Sequence, residues 1–475
     1  MGDTRAKIVC TLGPASHDEA TIRRMIEAGM NVARLNLSHG SHEFHRETMT
    51  MVRRAAKAAG RICGIMLDLQ GPKVRVGRFA EGEALLEAGA AFTITSREVE
   101  GNARIVSTTH HGLPADVGAG ETVLLDDGLI VLRVSEVEGP EVRCEVVIGG
   151  VLKNNKGINI PGAALSVPTI TEKDFEDAAF GVEEKVDFVA MSFVRHPDDI
   201  AGMRKYLATL PYQPPIIAKI EKPQALEHID AIIDAADCIM VARGDLGVEM
   251  SPEEVPAIQK SLIAACNQRG KPVITATQML ESMVGNPRPT RAEASDVANA
   301  ILDGSDAVML SAESASGRYP VESVEVMHRI IQATENSIGQ PDPSRRRRMA
   351  DTPLAIHEGI AATACILADL VSAHGIASIT MTGSMPRMIA KHRPSAPIYA
   401  VGQFEHVLRQ LSLVWGIEGI LVSDITTHID QATVEVENRL ESMGRVKKGD
   451  LLVLTAGLPF SERQATNMVR VDVVR

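Results

Sequence analysis

Runs of four to seven mostly apolar residues recur along the chain, each ending in a polar or glycine-rich turn. They lie at Lys7–Cys10, Asn31–Asn36, Ile62–Asp68, Phe188–Phe193, Ile216–Glu221, Cys238–Val241, Val273–Thr277 and Ala307–Ser311. Short apolar runs bounded by turn signals read as strands buried on both faces. Seven of the eight intervals between and after them have room for a helix. Eight strands alternating with helices predict a closed (β/α)8 TIM barrel. A doubly wound open sheet is the competing arrangement, but it seldom needs eight such units.

The third interval, 72–168, breaks the pattern. Its segments Ala91–Thr95, Thr122–Leu125, Leu129–Glu136 and Glu141–Ile148 are β-branched or alternate polar with apolar, and Gly, Asn and Asp separate them. Asp126-Asp127-Gly128 is a tight-turn signal between two of them. A small all-β domain, a β-barrel lid, is expected there, inserted after the third barrel strand. Beyond Ser311 come a helix (Pro320–Asn336), a polar linker (Gln340–Asp351) and a helix over Ala355–Ser372. Short strands follow at Ser378–Thr382, Ile398–Val401, Gly419–Val422, Leu451–Thr455 and Asn467–Val474, as in an α/β domain with a mostly parallel sheet. The expected division is a barrel at 1–71 and 169–340, an insert at 72–168 and a C-terminal domain at 341–475. A chain of 475 residues is too long for a single core, which agrees.

A barrel presents its reactive groups at the carboxyl ends of its strands. In chain order those ends carry Arg34, Asn36, Ser38 and His39, then Asp68, then Ser192 and Arg195. Lys219 and Glu221, Arg243 and Asp245, Thr275, Thr277 and Gln278, and finally Ser311 and Glu313 complete the ring. Alternate residues of a strand share a face, so Lys219 and Glu221 point the same way. A parallel neighbour would bring Asp245 to the same edge. An ammonium beside two carboxylates suits a divalent metal with an anionic substrate, and it equally suits a structural ion pair.

Composition narrows the class. The net charge of −12 argues against a general nucleic-acid binder, so any phosphate must be held by local Arg and Lys against the overall field. Six scattered Cys with no CxxC read as buried thiols of a cytosolic protein. Aromatics are scarce and Met is frequent, so Met is expected to fill the cores. No apolar run reaches membrane-spanning length, and the first residues lack the apolar core of a signal peptide. A cytoplasmic protein without nucleic-acid or membrane partners is expected. The basic run Arg345–Arg348 sits in the Pro- and Ser-containing linker and reads as solvated.

Several blocks in one order resemble the pyruvate kinase family. They are Asn31–Gly40 (NVARLNLSHG), Asp68–Arg75 (DLQGPKVR), Ala218–Glu221, Val241–Val248 (VARGDLGV), Ala276–Met283 (ATQMLESM), Pro289–Asp306 (PTRAEASDVANAILDGSD) and Leu310–Pro320. The resemblance runs nearly end to end. It implies phosphoryl transfer from phosphoenolpyruvate to ADP, giving pyruvate and ATP. By family match, Glu221 and Asp245 bind Mg2+ or Mn2+, and Lys219 stabilises the transferring phosphoryl and the enolate. Gly244, Asp245 and Thr277 hold the pyruvate carboxylate, Arg34 reaches the phosphates with Arg75 near it, and Ser311 and Glu313 carry a water-mediated proton route. Asn36, His39 and Lys156 fall at nucleotide-side positions, although His39 could equally anchor a loop. Two rivals remain: a metal-dependent aldolase or lyase acting on a pyruvate enolate, and a catalytically inactive regulatory paralogue.

Where many members have a Thr-Lys pair and a later Glu, this chain has Leu69, Gln70 and Lys73. Those members hold K+ at the positions of Asn36, Ser38 and Asp68. The pattern here is similar to the K+-independent branch, with Lys73 as an internal cation; a surface lysine at a turn is the alternative. The resemblance also implies a homotetramer and a phosphorylated effector cradled by Thr380, Thr382, Gly383 and Ser384. Met385 and Pro386 depart from that loop's usual residues, and Gly457–Thr466 lacks the glycines common in fructose-1,6-bisphosphate-responsive members. An altered or lost effector specificity is expected.

Overall fold

The eight apolar runs close on themselves. In the computed structural model, which describes residues 4–163, 166–338, 355–423, 428–459 and 465–475, they form a closed barrel of parallel strands. The strands are Lys7–Thr11, Met30–Asn36, Gly64–Asp68, Phe188–Met191, Ile216–Ile220, Cys238–Ala242, Val273–Ala276 and Ala307–Leu310. Each pairs with the next in chain order, and the first pairs with the eighth. Side chains such as Val9, Val32, Met66, Met240 and Met309 pack inside the barrel, while a larger layer packs between strands and helices. All six Cys are free and buried, as expected of scattered thiols with no CxxC.

Several strands stop short of the expected ends. Phe193 and Thr277 lie past their ladders because each adopts a positive φ, +56° and +69°, which a β-strand cannot continue. The amino-terminal mouth shows a regularity that the pattern of apolar runs does not reveal. At the second strand and just before the fourth, sixth and eighth, a side-chain oxygen accepts an N–H from the first or second residue of the preceding strand. Asn31 takes that of Ile8, Asp187 that of Ile65 and Asp237 that of Ile216, each at 2.9 Å, and Asp306 that of Val273 at 3.0 Å. Adjacent strands are thereby stapled in pairs.

Among the described residues the insert contains a six-stranded sheet and a two-stranded ladder, joined around one apolar core with one short helix, Leu113–Asp116. It is not a closed ladder, which refines the expected β-barrel. The tight turn falls where predicted: Leu129 N–H donates to the Asp126 carbonyl, with Asp127 and Gly128 both at positive φ. The C-terminal sheet is ordered Ile417–Leu421, Ile398–Gly402, Gly375–Ile379, Leu451–Ala456, Met468–Val473, and only the last strand is antiparallel. Its first strand begins three residues before the expected Ser378, because the small, fully buried run from Gly375 supplies the ladder and the β-branched threonines belong to the loop. The linker 340–351, with its basic run, lies outside the described residues, as does 460–464 of the late loop.

Candidate active site

The ends of the second, third and fifth strands converge on one buried charge cluster. Arg34 donates from Nε to Asp68 Oδ2 at 2.7 Å and from Nη1 to Thr11 Oγ1 at 2.7 Å, and its Nη2 lies 2.6 Å from the same Asp68 oxygen. Lys219 Nζ sits 2.8 Å from Glu221 Oε1 and 3.2 Å from Asp68 Oδ1, and it donates to Ser192 Oγ at 2.7 Å. The Ser192 hydroxyl donates onward to the Leu69 carbonyl at 2.8 Å, leaving its oxygen free to accept. Glu221 Oε2 accepts the Phe193 N–H at 2.8 Å, a contact made possible by that residue's left-handed backbone.

The burial of this cluster sets its electrostatics. Burial alone would lower the Lys219 ammonium, but Asp68 and Glu221 outweigh it and hold the group above its ordinary range. Burial would likewise raise Asp68; Lys219 and Arg34 overcome it and hold the carboxyl below its usual value. For Glu221 burial prevails, with Asp245 adding to it against the pull of Lys219, and its carboxyl is pushed up. A second cation at this edge would favour the charged form of Glu221.

Asp245 and Gly244 open a short helix, Arg243–Glu249, at the end of the sixth strand. The Asp245 carboxylate faces Lys219 and Glu221 and has no hydrogen bond or ion pair among the described residues. One carboxylate raised by burial and one without a partner, on adjacent strand ends, are a donor set suited to a hard divalent cation that completes its shell with substrate oxygens and water.

Thr277 is held from every side. Its Oγ1 accepts the Gly244 N–H at 2.7 Å and donates to the Ala276 carbonyl at 2.7 Å. Arg243 grips both backbone carbonyls, Ala276 at 3.3 Å and Thr277 at 2.8 Å, while Asp296 holds the same guanidinium with two contacts of 2.7 Å. Ser311 Oγ is buried without a partner, and the Ser311 N–H donates to Glu313 Oε2 at 2.6 Å. An orphaned hydroxyl at a strand end is a place for a water or a substrate atom.

The other expected residues lie apart from this cluster. Asn36 Oδ1 accepts the Ser38 N–H at 3.1 Å, and His39 is exposed while its carbonyl binds His45 Nε2 at 2.8 Å. The loop-anchoring imidazole is therefore His45. Lys156 pairs with Asp126 at 2.8 Å within the insert, and Arg75 Nη1 donates to the Asn155 carbonyl at 2.9 Å. Lys73 lines the cleft between insert and barrel with Asp245, Arg195 and Lys222, its Cε against Gly157, and has no ion pair with Asp68. Thr380 Oγ1 accepts the Gly383 N–H at 2.9 Å, and the Thr382 and Ser384 hydroxyls lie 3.1 Å apart and exposed at the start of helix Ser384–Lys391.

Sequence reasoning named Ser192 only as a strand-end residue and missed Thr11 and Asp296; the three contact Lys219, Arg34 and Arg243 respectively. It also missed the contact of Asn159 with Glu249 at 2.7 Å, which ties insert to barrel beside Lys222. No spacing rule would have found that contact.

The fold and site define a (β/α)8 enzyme for an anionic substrate, with cations and metal-suited carboxylates at the strand ends and an inserted domain bordering them. Residues 3–324 match the family model for the pyruvate kinase barrel domain and 358–472 that for its alpha/beta domain. The chain is 48% identical to a pyruvate kinase of Geobacillus stearothermophilus over 99% of this chain and 80% of that one. It is 44% identical to pyruvate kinase 2 of a Synechocystis species, covering 99% and 79%. A crystal structure of a pyruvate kinase from Cryptosporidium parvum superposes with a TM-score of 0.93 at 36% identity, covering 99% and 96%. The chain belongs to the pyruvate kinase family, phosphotransferases that carry the phosphoryl group of phosphoenolpyruvate to ADP. Neither the aldolase reading nor the inactive-paralogue reading finds support in these matches.

Proposed function

We propose that the charge cluster around Lys219 performs this transfer, with the roles divided by position. Phosphoryl transfer asks an enzyme for alignment and charge neutralisation more than for covalent chemistry. Lys219 neutralises charge on the moving phosphoryl and on the enolate left behind, and Arg34, aimed by Asp68 and Thr11, binds the phosphate. Thr277 and the Gly244 and Asp245 backbone hold the carboxylate; in this state the Gly244 N–H is shared with Thr277. Ser311, oriented through Glu313, holds the water that delivers a proton to the enolate carbon. Glu221 and Asp245 hold Mg2+ or Mn2+, which supplies Lewis-acid charge at the reacting oxygens. Arg75, Asn36, His39 and Lys156 face the nucleotide when the insert closes and excludes water. The observation that carries this reading is the convergence of Lys219 on Glu221, Asp68 and Ser192, with the unpaired Asp245 facing them.

The same reading makes Lys73 a tethered monovalent cation that reaches the Asn36–Ser38–Asp68 side as the cleft closes, so that K+ is not required. A coupled assay with lactate dehydrogenase, phosphoenolpyruvate, ADP and Mg2+ tests both points. Full turnover is expected with tetramethylammonium as the only monovalent cation, and Lys219→Met is expected to lose at least about 10²-fold in kcat. A large loss without K+ would sink the Lys73 role alone, while an active Lys219→Met would sink the whole assignment. We further propose a cytoplasmic homotetramer with a phosphate-type effector at Thr380–Ser384. Sedimentation and thermal-shift titration with sugar phosphates and AMP check this: a monomer, or no shift with any of them, would refute it.

A further inference from the structure

Asp306 precedes the eighth strand, which stops one residue before Ser311, and its carboxylate binds the first N–H of the seventh strand, which stops one residue before Thr277. Its other oxygen is held by the C-terminal domain. Arg393 Nη2 lies 3.1 Å from Asp306 Oδ1, and the Trp415 N–H donates to the same oxygen at 3.3 Å. Trp415 is the one tryptophan of the chain, and two guanidiniums lie over its ring, Arg393 at 4.7 Å and Arg5 at 5.2 Å from the centroid.

The same Nη2 donates to Asn267 Oδ1 and to the Gly304 carbonyl, both at 3.0 Å. Gly304 ends the helix Arg291–Asp303, so the cation sits at the negative end of that helix. This helix carries Asp296, which fixes Arg243, which in turn grips the Thr277 carbonyl. Two separate chains of contact thus run from Arg393 to Thr277, one through the strand staple and one through the helix.

We propose that Arg393 is a positioning residue for the reaction, locking the seventh and eighth strands so that Thr277 and Ser311 stand in register at the far end of the barrel. The inference rests on the reading of those two residues as site residues. A strand of four residues is a short, stiff lever at about 3.3 Å per residue, and a small misplacement at a reacting centre is costly. Loss of the guanidinium fork frees the staple; a lysine re-forms the ion pair but not the bonds to Asn267 and Gly304.

Trp415 reports on this junction directly. In the wild type, saturation with phosphoenolpyruvate and Mg2+ is expected to shift its emission, because the two contact chains carry a tightening of Thr277 and Ser311 around substrate back to the junction. Arg393→Met is expected to abolish the shift and to lower kcat by on the order of tenfold to a hundredfold, with KM for phosphoenolpyruvate changing much less. Arg393→Lys is expected to recover part of kcat, and it remains a measurable arm if the methionine variant does not fold. A purely structural contact would lower the melting temperature of either variant and leave kcat unchanged, and that result overturns the proposal. So does a wild-type emission that does not respond to substrate. Thr277→Ala separates the two failures: if it keeps wild-type kcat the site reading falls, whereas an impaired Thr277→Ala beside a normal Arg393 variant sinks this proposal alone.

Discussion

Thr277 holds a left-handed backbone, φ +69°, that a β-branched residue rarely adopts. Such a conformation costs on the order of 1–3 kcal/mol and persists only where surrounding contacts over-determine it. Here the Gly244 N–H and both Arg243 carbonyl contacts do so. Exchange for glycine removes the steric cost at Cβ, about 1–2 kcal/mol, while exchange for alanine keeps it; both lose the hydroxyl. Thr277→Gly should therefore melt above Thr277→Ala by roughly 2–4 °C, with kcat of both reduced about 10²-fold. Scanning calorimetry with the coupled assay decides it, and an alanine variant that melts higher would show that the strain is not there. Glu221 shows a different compromise: its burial beside Asp245 raises its carboxyl, which favours a cation at that edge.

At the scale of elements, the strap between the third strand and the insert crosses directly over the loop after the fourth strand. Gly71 makes the crossing, at φ +65°, with its N–H donating to Asp174 Oδ1 at 2.9 Å. A Cβ there would lie 2.8 Å from Phe193 Cδ2 and 3.0 Å from Ser192 Cβ. Those neighbours supply the Phe193 N–H to Glu221 and the Ser192 oxygen to Lys219. Gly71→Ala is thus expected to cost about 1–3 kcal/mol in overpacking and to lower kcat by about tenfold or more, because it displaces the partners of the two central site residues. A folded Gly71→Ala enzyme with wild-type kcat would show that the crossing merely connects the two domains.

Over the whole molecule, the C-terminal domain is keyed into the barrel mouth by buried ion pairs. Asp187 is fully buried, accepts the Ile65 N–H, and meets Arg409 Nε at 2.8 Å, with Arg53 also facing it. Burial pushes its carboxyl up to about 6, against the pull of Arg409. A folded-state value above the unfolded one means that the folded chain binds this proton more tightly. The associated stability is complete below about pH 4 and is lost as pH rises through 6. Arg409→Met leaves the carboxylate buried without its partner, at a cost of about 3–5 kcal/mol when ionised, and raises its folded value further. The melting temperature should fall more at pH 8 than at pH 5, and an equal deficit at both would refute the role assigned to this pair.

Much of this organisation was legible in the chain itself. Eight short apolar runs specify eight buried strands through local periodicity, and parallel connection obliges all of them to deliver their last residues to one edge. That is why Lys219, Glu221, Asp245, Thr277 and Ser311 could be named from position alone, and why the inserted domain stood out through its turn chemistry. Folding in three dimensions settled what periodicity cannot carry. Which acceptor meets Lys219, that His45 rather than His39 anchors its loop, that Lys73 rests against Gly157, and how Asp306 or Asp187 meets the C-terminal domain all depend on register and docking. Asp187 and Arg409 are 222 positions apart, and no local rule spans that distance. The residue types available to the site follow from short-range pattern, whereas their partners follow from the packing of surfaces that meet only once every domain has folded.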